Sequence, residues 1–242
     1  NIDFCYAAAA KVDDFVGSNG STDLIIGREA NGLAYLPRSF DGTSSTFGPA
    51  VEIAANGSFC QGVLTGVYLL DATLPDDLIA IDTSVPSIRT FQNNAGTFTE
   101  GVSTAITLDA GQEIVWSFYI PGYSLPSLNT VNANYVGFVA TDGEHLGSHS
   151  LYLYGQTNPT FSETFTLVDK IDLGKGVPVR LTLQDFENDG FREIVIFFKD
   201  LPYAGVVELE GAGTSVSFSQ LGFVETGFDA TDILPVVTDT PT

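Results

Sequence analysis

Gln184–Phe198 reads QDFENDGFREIVIFF, a cluster of oxygen-bearing side chains that runs straight into an apolar, β-branched and aromatic stretch. Asp185, Glu187 and Asp189 alternate, Gly190 follows, and Glu193 comes four residues after Asp189. Oxygen ligands at the first, third, fifth and ninth positions of a tight loop can converge on a hard cation such as Ca2+. The carbonyl of Phe191, at the seventh, adds another ligand, and the glycine allows the sharp turn. An EF-hand needs a glutamate at the twelfth position, but that residue is Ile196, inside a run that reads as a buried strand. The segment therefore describes an oxygen-lined loop entering a strand. The alternative is an acidic, solvated turn that holds no ion.

Composition sets the frame around this loop. Hydrophobic residues make up 44% of the 242, enough for a real core. The 18 Phe, 9 Tyr and 25 Gly, with recurrent Ser and Thr, suit short strands and turns better than helices. Nine Lys and Arg against 30 Asp and Glu give a formal net charge of −21, which argues against nucleic acid and anionic membrane surfaces as partners. It favours cation binding or a saline exterior. No apolar run is long enough to span a bilayer as a helix, so membrane insertion is not expected. The chain opens at Asn1 and lacks Met, which reads as a processed mature chain or a fragment. Its two cysteines, Cys5 and Cys60, are expected to form one disulfide in an oxidising compartment, with two buried free thiols as the alternative.

The loop has weaker echoes. Asp14–Leu24 carries Asp14, Asn19, Gly20 and Asp23 before an apolar strand, and is the next candidate to hold an ion through Asp14, Asn19 and Asp23. Asp71–Leu78 keeps Asp71 and Asp77 in a shortened form, and Asp142–Leu151 keeps Asp142, Glu144 and Gly147. Strand, turn and T-F segments follow at Gly32–Ile53, Ser87–Ile106 and Ser150–Val168.

With its spacing of Asp185, Glu187, Asp189, Gly190, Glu193 and Ile194, the complete loop resembles the FG-GAP or VCBS type of repeat in integrin-like and lectin-like β-propellers. The resemblance implies a Ca2+-binding loop between two strands of a blade, with the strand–turn–T-F segments as the second half of each repeat. Cys5 and Cys60 each precede a loop at a similar offset, so a bridge between the first two units is expected under this reading. The loops start about 57, 71 and 43 residues apart. The excess falls in Thr107–Ala140, read as a degenerate blade or an insertion in which Ile114, Trp116, Phe118 and Ile120 form one apolar strand face.

The expected architecture is all-β: a β-propeller-like array, whole or incomplete, of four or five short antiparallel units over residues 1–228. A jelly-roll-like β-sandwich is the alternative. Residues 229–242 read as an acidic Pro/Thr tail or linker. There is no G-x-S-x-G, nucleotide-binding glycine loop or C-x-x-C, and His145 and His149, though four apart, read as loop residues around Gly147 that share no helical face, so the expectation is a protein that is not an enzyme. Of the sequons, Asn56-Gly-Ser in a polar turn is the better glycan acceptor, and Tyr123 in IPGYSLP is the loop aromatic best suited to stacking on a sugar. These features point to an extracellular, Ca2+-binding module for adhesion or carbohydrate recognition, its partner a glycan or a cell-surface or matrix component. Two other readings stay open. One is a structural fibre subunit, a homo-oligomer pairing through Asn1–Ala10 and Ile233–Val237. The other is an accessory domain of a secreted polysaccharide-degrading enzyme.

Overall fold

The computed structural model describes residues 12–13, 23–28, 32–60, 63–66, 77–94, 96–120, 134–143, 147–156, 164–174, 176–184, 193–199, 201–212, 215–219 and 221–226. These residues form strands and turns without a helix. Sheet I holds β1 (Val12–Asp13), β2 (Asp23–Gly27), β3 (Leu33–Leu36) and β6 (Val51–Ala54), with a separate hairpin of β4 (Arg38–Phe40) and β5 (Ser45–Phe47) inserted before β6. Sheet II runs β7 (Val63–Gly66), β8 (Asp77–Asp82), β9 (Ser87–Asn94) and β10 (Thr97–Ala105). Sheet III runs β11 (Glu113–Ile120), β12 (Tyr135–Thr141), β13 (His149–Gln156) and β14 (Phe165–Asp172). Sheet IV holds β15 (Pro178–Gln184), β16 (Glu193–Phe198), β17 (Tyr203–Val207) and β20 (Gly222–Glu225), with a hairpin of β18 (Leu209–Ala212) and β19 (Ser215–Phe218) before its last strand.

Each of the four large sheets is filled by one stretch of the chain, its strands all antiparallel, and in sheets I and IV a separate hairpin interrupts the succession before the last strand. A jelly roll would exchange strands between two sheets through Greek-key crossovers, and no such exchange occurs among the described residues. The chain is a propeller-like array of four antiparallel units. The described residues of Thr107–Ala140 supply β11 and all but the last residue of β12 in the four-stranded sheet III.

The sheets hold together because their middle strands are apolar on both faces. Leu78 and Ala80 of β8 join a core with Ile25, Leu33 and Tyr35 of sheet I, while Ile79 and Ile81 face sheet III with Phe138 and Tyr152. Sheet III repeats the pattern. Val136 and Phe138 face sheet II; Tyr135, Val139, Leu151 and Leu153 pack on Ile194, Ile196 and Phe198 of sheet IV. Strands buried on both faces read as unbroken apolar runs rather than alternating ones, which explains EIVIFF. The fourth strands are mostly solvated, and β20 is exposed throughout.

A bulge re-aims one run. The β11–β12 register shifts between Ile114 and Trp116, so Ile114 faces sheet II whereas Trp116, Phe118 and Ile120 face sheet IV. The single apolar face expected for β11 is therefore split between two cores. Opposite Phe118 in the ladder stands Gly137, where any Cβ would enter the Phe118 ring.

Gly137→Ala is expected to destabilise the fold by about 1–3 kcal/mol through overpacking against Phe118. Leu153→Ala, which opens a cavity between sheets III and IV, is expected to cost about 2–5 kcal/mol. Urea denaturation followed by Trp116 fluorescence measures both, and an alanine at position 137 without effect is incompatible with the packing described.

Candidate functional site

The four first-to-second-strand connections, residues 14–22, 67–76, 121–133 and 185–192, lie outside the described residues, but the strands they enter are well defined. At the mouth of each second strand sits one buried polar residue: Asp23, Asp77, Asn134 and Glu193, exposed by 0, 3, 6 and 6%. These positions are 54, 57 and 59 residues apart, a far more even period than the loop motifs themselves suggest.

A buried carboxylate needs hydrogen-bond donors to offset desolvation. The Asp23 Oδ1 accepts the Arg38 N–H at 2.9 Å, and the Asp77 Oδ1 accepts the Asn93 N–H at 2.8 Å. In both units the donating amide lies two residues past the partner of the leucine after the acid, Leu24 with Leu36 and Leu78 with Phe91. The acid thus ties off the open end of its strand pair. In sheet III an amide takes its place: the Asn134 N–H and Nδ2 both donate to Gln156 Oε1 at 2.9 Å, and the Tyr119 hydroxyl donates to Asn134 Oδ1. Glu193 opens β16 opposite Gln184.

The character of the base residue follows that of the loop above it. The loops entering Asp23, Asp77 and Glu193 contain Asp14, Asp71 with Asp76, and Asp185 with Glu187 and Asp189, whereas residues 121–133, entering Asn134, contain no acid. Sequence reading missed Asn134 because it sought a carboxylate. The signal available was position, one residue before the apolar run of β12. The Asp142–Leu151 echo is displaced: its described residues lie between β12 and β13 and at the start of β13, and Asp142 Oδ2 accepts the Ser148 N–H at 2.7 Å.

Other expected site residues scatter. Asp185, Glu187, Asp189, Phe191, Asp14, Asn19, Cys5, Tyr123 and His145 lie outside the described residues. No group of three or more His, Cys, Asp or Glu suited to a metal occurs among the described residues. His149 is fully buried, its Nδ1 2.6 Å from Thr141 Oγ1. Cys60 is disulfide-bonded. Asn56 is exposed, with its carbonyl and side-chain oxygens accepting from Arg89 Nη1 at 3.1 and 3.4 Å.

At the opposite end of β8 lies a cleft of about 450 Å³ between sheets II and III. One wall is the β6–β7 connection at Ser58 and Cys60 with the β8–β9 turn at Thr83, Ser84 and Pro86; the other is Leu108, Gln112, Glu113 and Ile114. Asp82 locks the first wall. It accepts the Ser58 N–H at 3.1 Å, the Ser84 N–H at 3.0 Å and the Ser84 hydroxyl at 2.6 Å on one oxygen, and Arg89 at 3.1 Å on the other. Arg89 also reaches Glu100 at 2.7 Å and lies over the Phe59 and Phe91 rings at 5.1 and 5.5 Å. Gly57, with φ of +102°, presses on this pair where a Cβ would strike the Asp82 carboxylate. Gln112 locks the second wall: its Nε2 donates to Ser148 and Ser150, and its Oε1 accepts the Tyr152 hydroxyl.

No family model matches the chain, and no curated protein matches it. Among solved structures it is similar to an α-L-arabinofuranosidase of Fusarium graminearum in complex with an iminosugar inhibitor, at 10% identity and a TM-score of 0.48, over 91% of this chain and 71% of that one.

Burial alone pushes the Asp82 pKa up, but the Ser84, Ser58 and Arg89 hydrogen bonds outweigh it and hold the carboxyl below its ordinary value. The stability it contributes is therefore complete above the ordinary carboxylate range and lost as pH falls through the lower folded value. Asp82→Ala is expected to cost about 3 kcal/mol at neutral pH, the low end for a broken buried pair because Glu100 still partners Arg89. In urea titrations the gap from the parent chain should persist to about pH 4 and narrow below it. A gap independent of pH contradicts the assigned role of the Asp82 charge.

Proposed function

We propose that the chain is a non-catalytic, extracellular recognition module of the FG-GAP type, in which Ca2+ at the acid-based loops fixes one rim for adhesion or carbohydrate binding. The observation that carries this reading is the match between loop and base residue: acid over acid in three units, neutral over Asn134 in the third. A purely structural tie needs only an acceptor at the base, and Asn134 supplies one without any acid above it. A cation-binding unit needs carboxylates in both places. The donor set of the fourth loop, Asp185, Glu187, Asp189, the Phe191 carbonyl and Glu193, is all oxygen and suits a hard cation. These residues would hold Ca2+, whose charge would neutralise the carboxylates and order the entry to β16. Asp14, Asn19 and Asp23 form the weaker second site.

Extracellular placement rests on the disulfide-bonded Cys60, for which Cys5 is the proposed partner, and on the net charge of −21. Asn56 is the proposed glycan acceptor, and Tyr123 a sugar-stacking residue of the third loop. Assembly into a fibre is the second reading. It is favoured by the exposed Phe223 and Val224 on edge strand β20 and by Phe40 and Phe47 on the β4–β5 hairpin, a pattern that invites pairing with further copies.

Ca2+ at a hundredfold excess over Kd is expected to stabilise the chain by about 2.7 kcal/mol. Asp189→Ala should abolish most of that gain, while Asn134→Asp should not create a further site beneath a loop without acids. Melting curves with Ca2+ and with chelator decide the matter: identical curves remove the metal from the proposal. Non-reducing peptide mapping should recover Cys5 joined to Cys60, and two alkylatable thiols in the native protein would count against the extracellular placement.

A further inference from the structure

We infer that the cleft between sheets II and III binds a small organic ammonium, a protonated primary amine carried on a sugar ring or an alkyl chain. The inference rests on where the hydroxyl protons of the cleft go. Ser84 Oγ donates to Asp82 Oδ1 at 2.6 Å, Thr83 Oγ1 to the Ser58 carbonyl at 3.2 Å, and Ser58 Oγ to Cys60 Sγ at 3.7 Å. A hydroxyl has one proton and two lone pairs, so all three spend their proton on the wall and keep acceptor capacity for the cleft. The Gln112 amide, the remaining side-chain donor of the lining, is consumed by Ser148 and Ser150.

Charge points the same way. Glu113 stands exposed on the lining as the first residue of β11, and the lining contains no cation. Of the nearby cations, Arg89 is held by Asp82 and Glu100, Lys170 is bound to Asp109 over the Tyr152 ring, and Arg28, whose carbonyl accepts the Phe59 N–H, keeps its Nε and Nη2 buried and is not part of the lining. A wall of acceptors with a carboxylate, in a chain of net charge −21, repels anions and leaves a neutral ligand to supply every donor. An ammonium brings three donors and the complementary charge. Pro86, Leu108 and Ile114 give its carbon skeleton an apolar floor. Both walls are fixed beforehand, one by Asp82 and the other by Gln112, so binding need not order them.

The test is calorimetric titration of the full chain with glucosamine, N-acetylglucosamine and pentylamine, alongside amide chemical-shift mapping. Glucosamine is expected to bind at least about tenfold more tightly than its neutral N-acetyl form, and Glu113→Gln to weaken it by about tenfold, as for loss of a charged hydrogen bond. The shifts should fall on residues 58–60, 83–86 and 108–114. Pentylamine binding as well as glucosamine identifies an alkylammonium as the ligand; preference for glucosamine identifies an amino sugar. Both outcomes support the inference. It is overturned if N-acetylglucosamine binds as tightly as glucosamine, if none of the three binds, if the shifts lie elsewhere, or if Glu113→Gln changes nothing while its spectrum shows an intact fold. That last outcome assigns the binding to diffuse attraction by an acidic surface.

Discussion

Everything in this chain depends on sheets that are apolar on both faces. A single such sheet standing alone would leave its apolar faces in water. Stacked in sequence, each supplies the cover its neighbour lacks. Ile79 and Leu78, adjacent on β8, belong to different cores, and the same division separates Tyr152 from Leu153 on β13. Each fully buried large side chain is worth roughly 1.5–3 kcal/mol, so the middle strands tolerate little change while their ends remain open to variation.

That constraint explains where polar chemistry can sit. Buried carboxylates are found inside the stack where a strand begins or ends, with a backbone amide within reach at Asp23, Asp77 and Asp82. The two ends of β8 therefore acquire different characters: acid-based loop entries at Asp77, and at Asp82 a cleft braced by a buried ion pair. Neither arrangement disturbs the apolar residues between them.

Much of the architecture was legible in the sequence because two-sided burial leaves continuous runs such as IVIFF and LIAI, bounded by acids and glycines. The phase of the third unit was not. Asp142-Gly143 at the β12–β13 turn uses the same turn chemistry as an Asp-rich loop at the other end of a sheet, so residue identity alone could not say which end it occupied. Asn134 hid the true position by replacing a carboxylate with an amide that satisfies the same end through Gln156. Nor could the bond from the Ser58 amide to Asp82 be read from sequence, since the two are 24 residues apart and Ser58 lies outside the β8–β9 hairpin. The bulge at β11 was equally hidden, because perfect alternation from Ile114 to Ile120 gives no sign that one residue is added to the ladder.

The acidic composition finds its physical account in the same hydrogen bonds. With 9 Lys and Arg for 30 Asp and Glu, the chain cannot pair its carboxylates with cations. It turns instead to the backbone. Asp23, Asp77, Asp82 and Asp142 each accept from a main-chain N–H, Asp41 accepts from Thr43 and Ser44 at 2.9 and 2.8 Å, and Asp169 accepts from Phe218 at 2.7 Å across to the β18–β19 hairpin. An amide donor costs no side-chain entropy to position and carries no charge of its own. Salt screens an exposed ion pair far more than it weakens such a bond. A fold whose acids are tied to amides can keep a large negative charge and still remain compact at high ionic strength. The repulsion that remains acts mainly between exposed carboxylates, which is where added cations are free to relieve it.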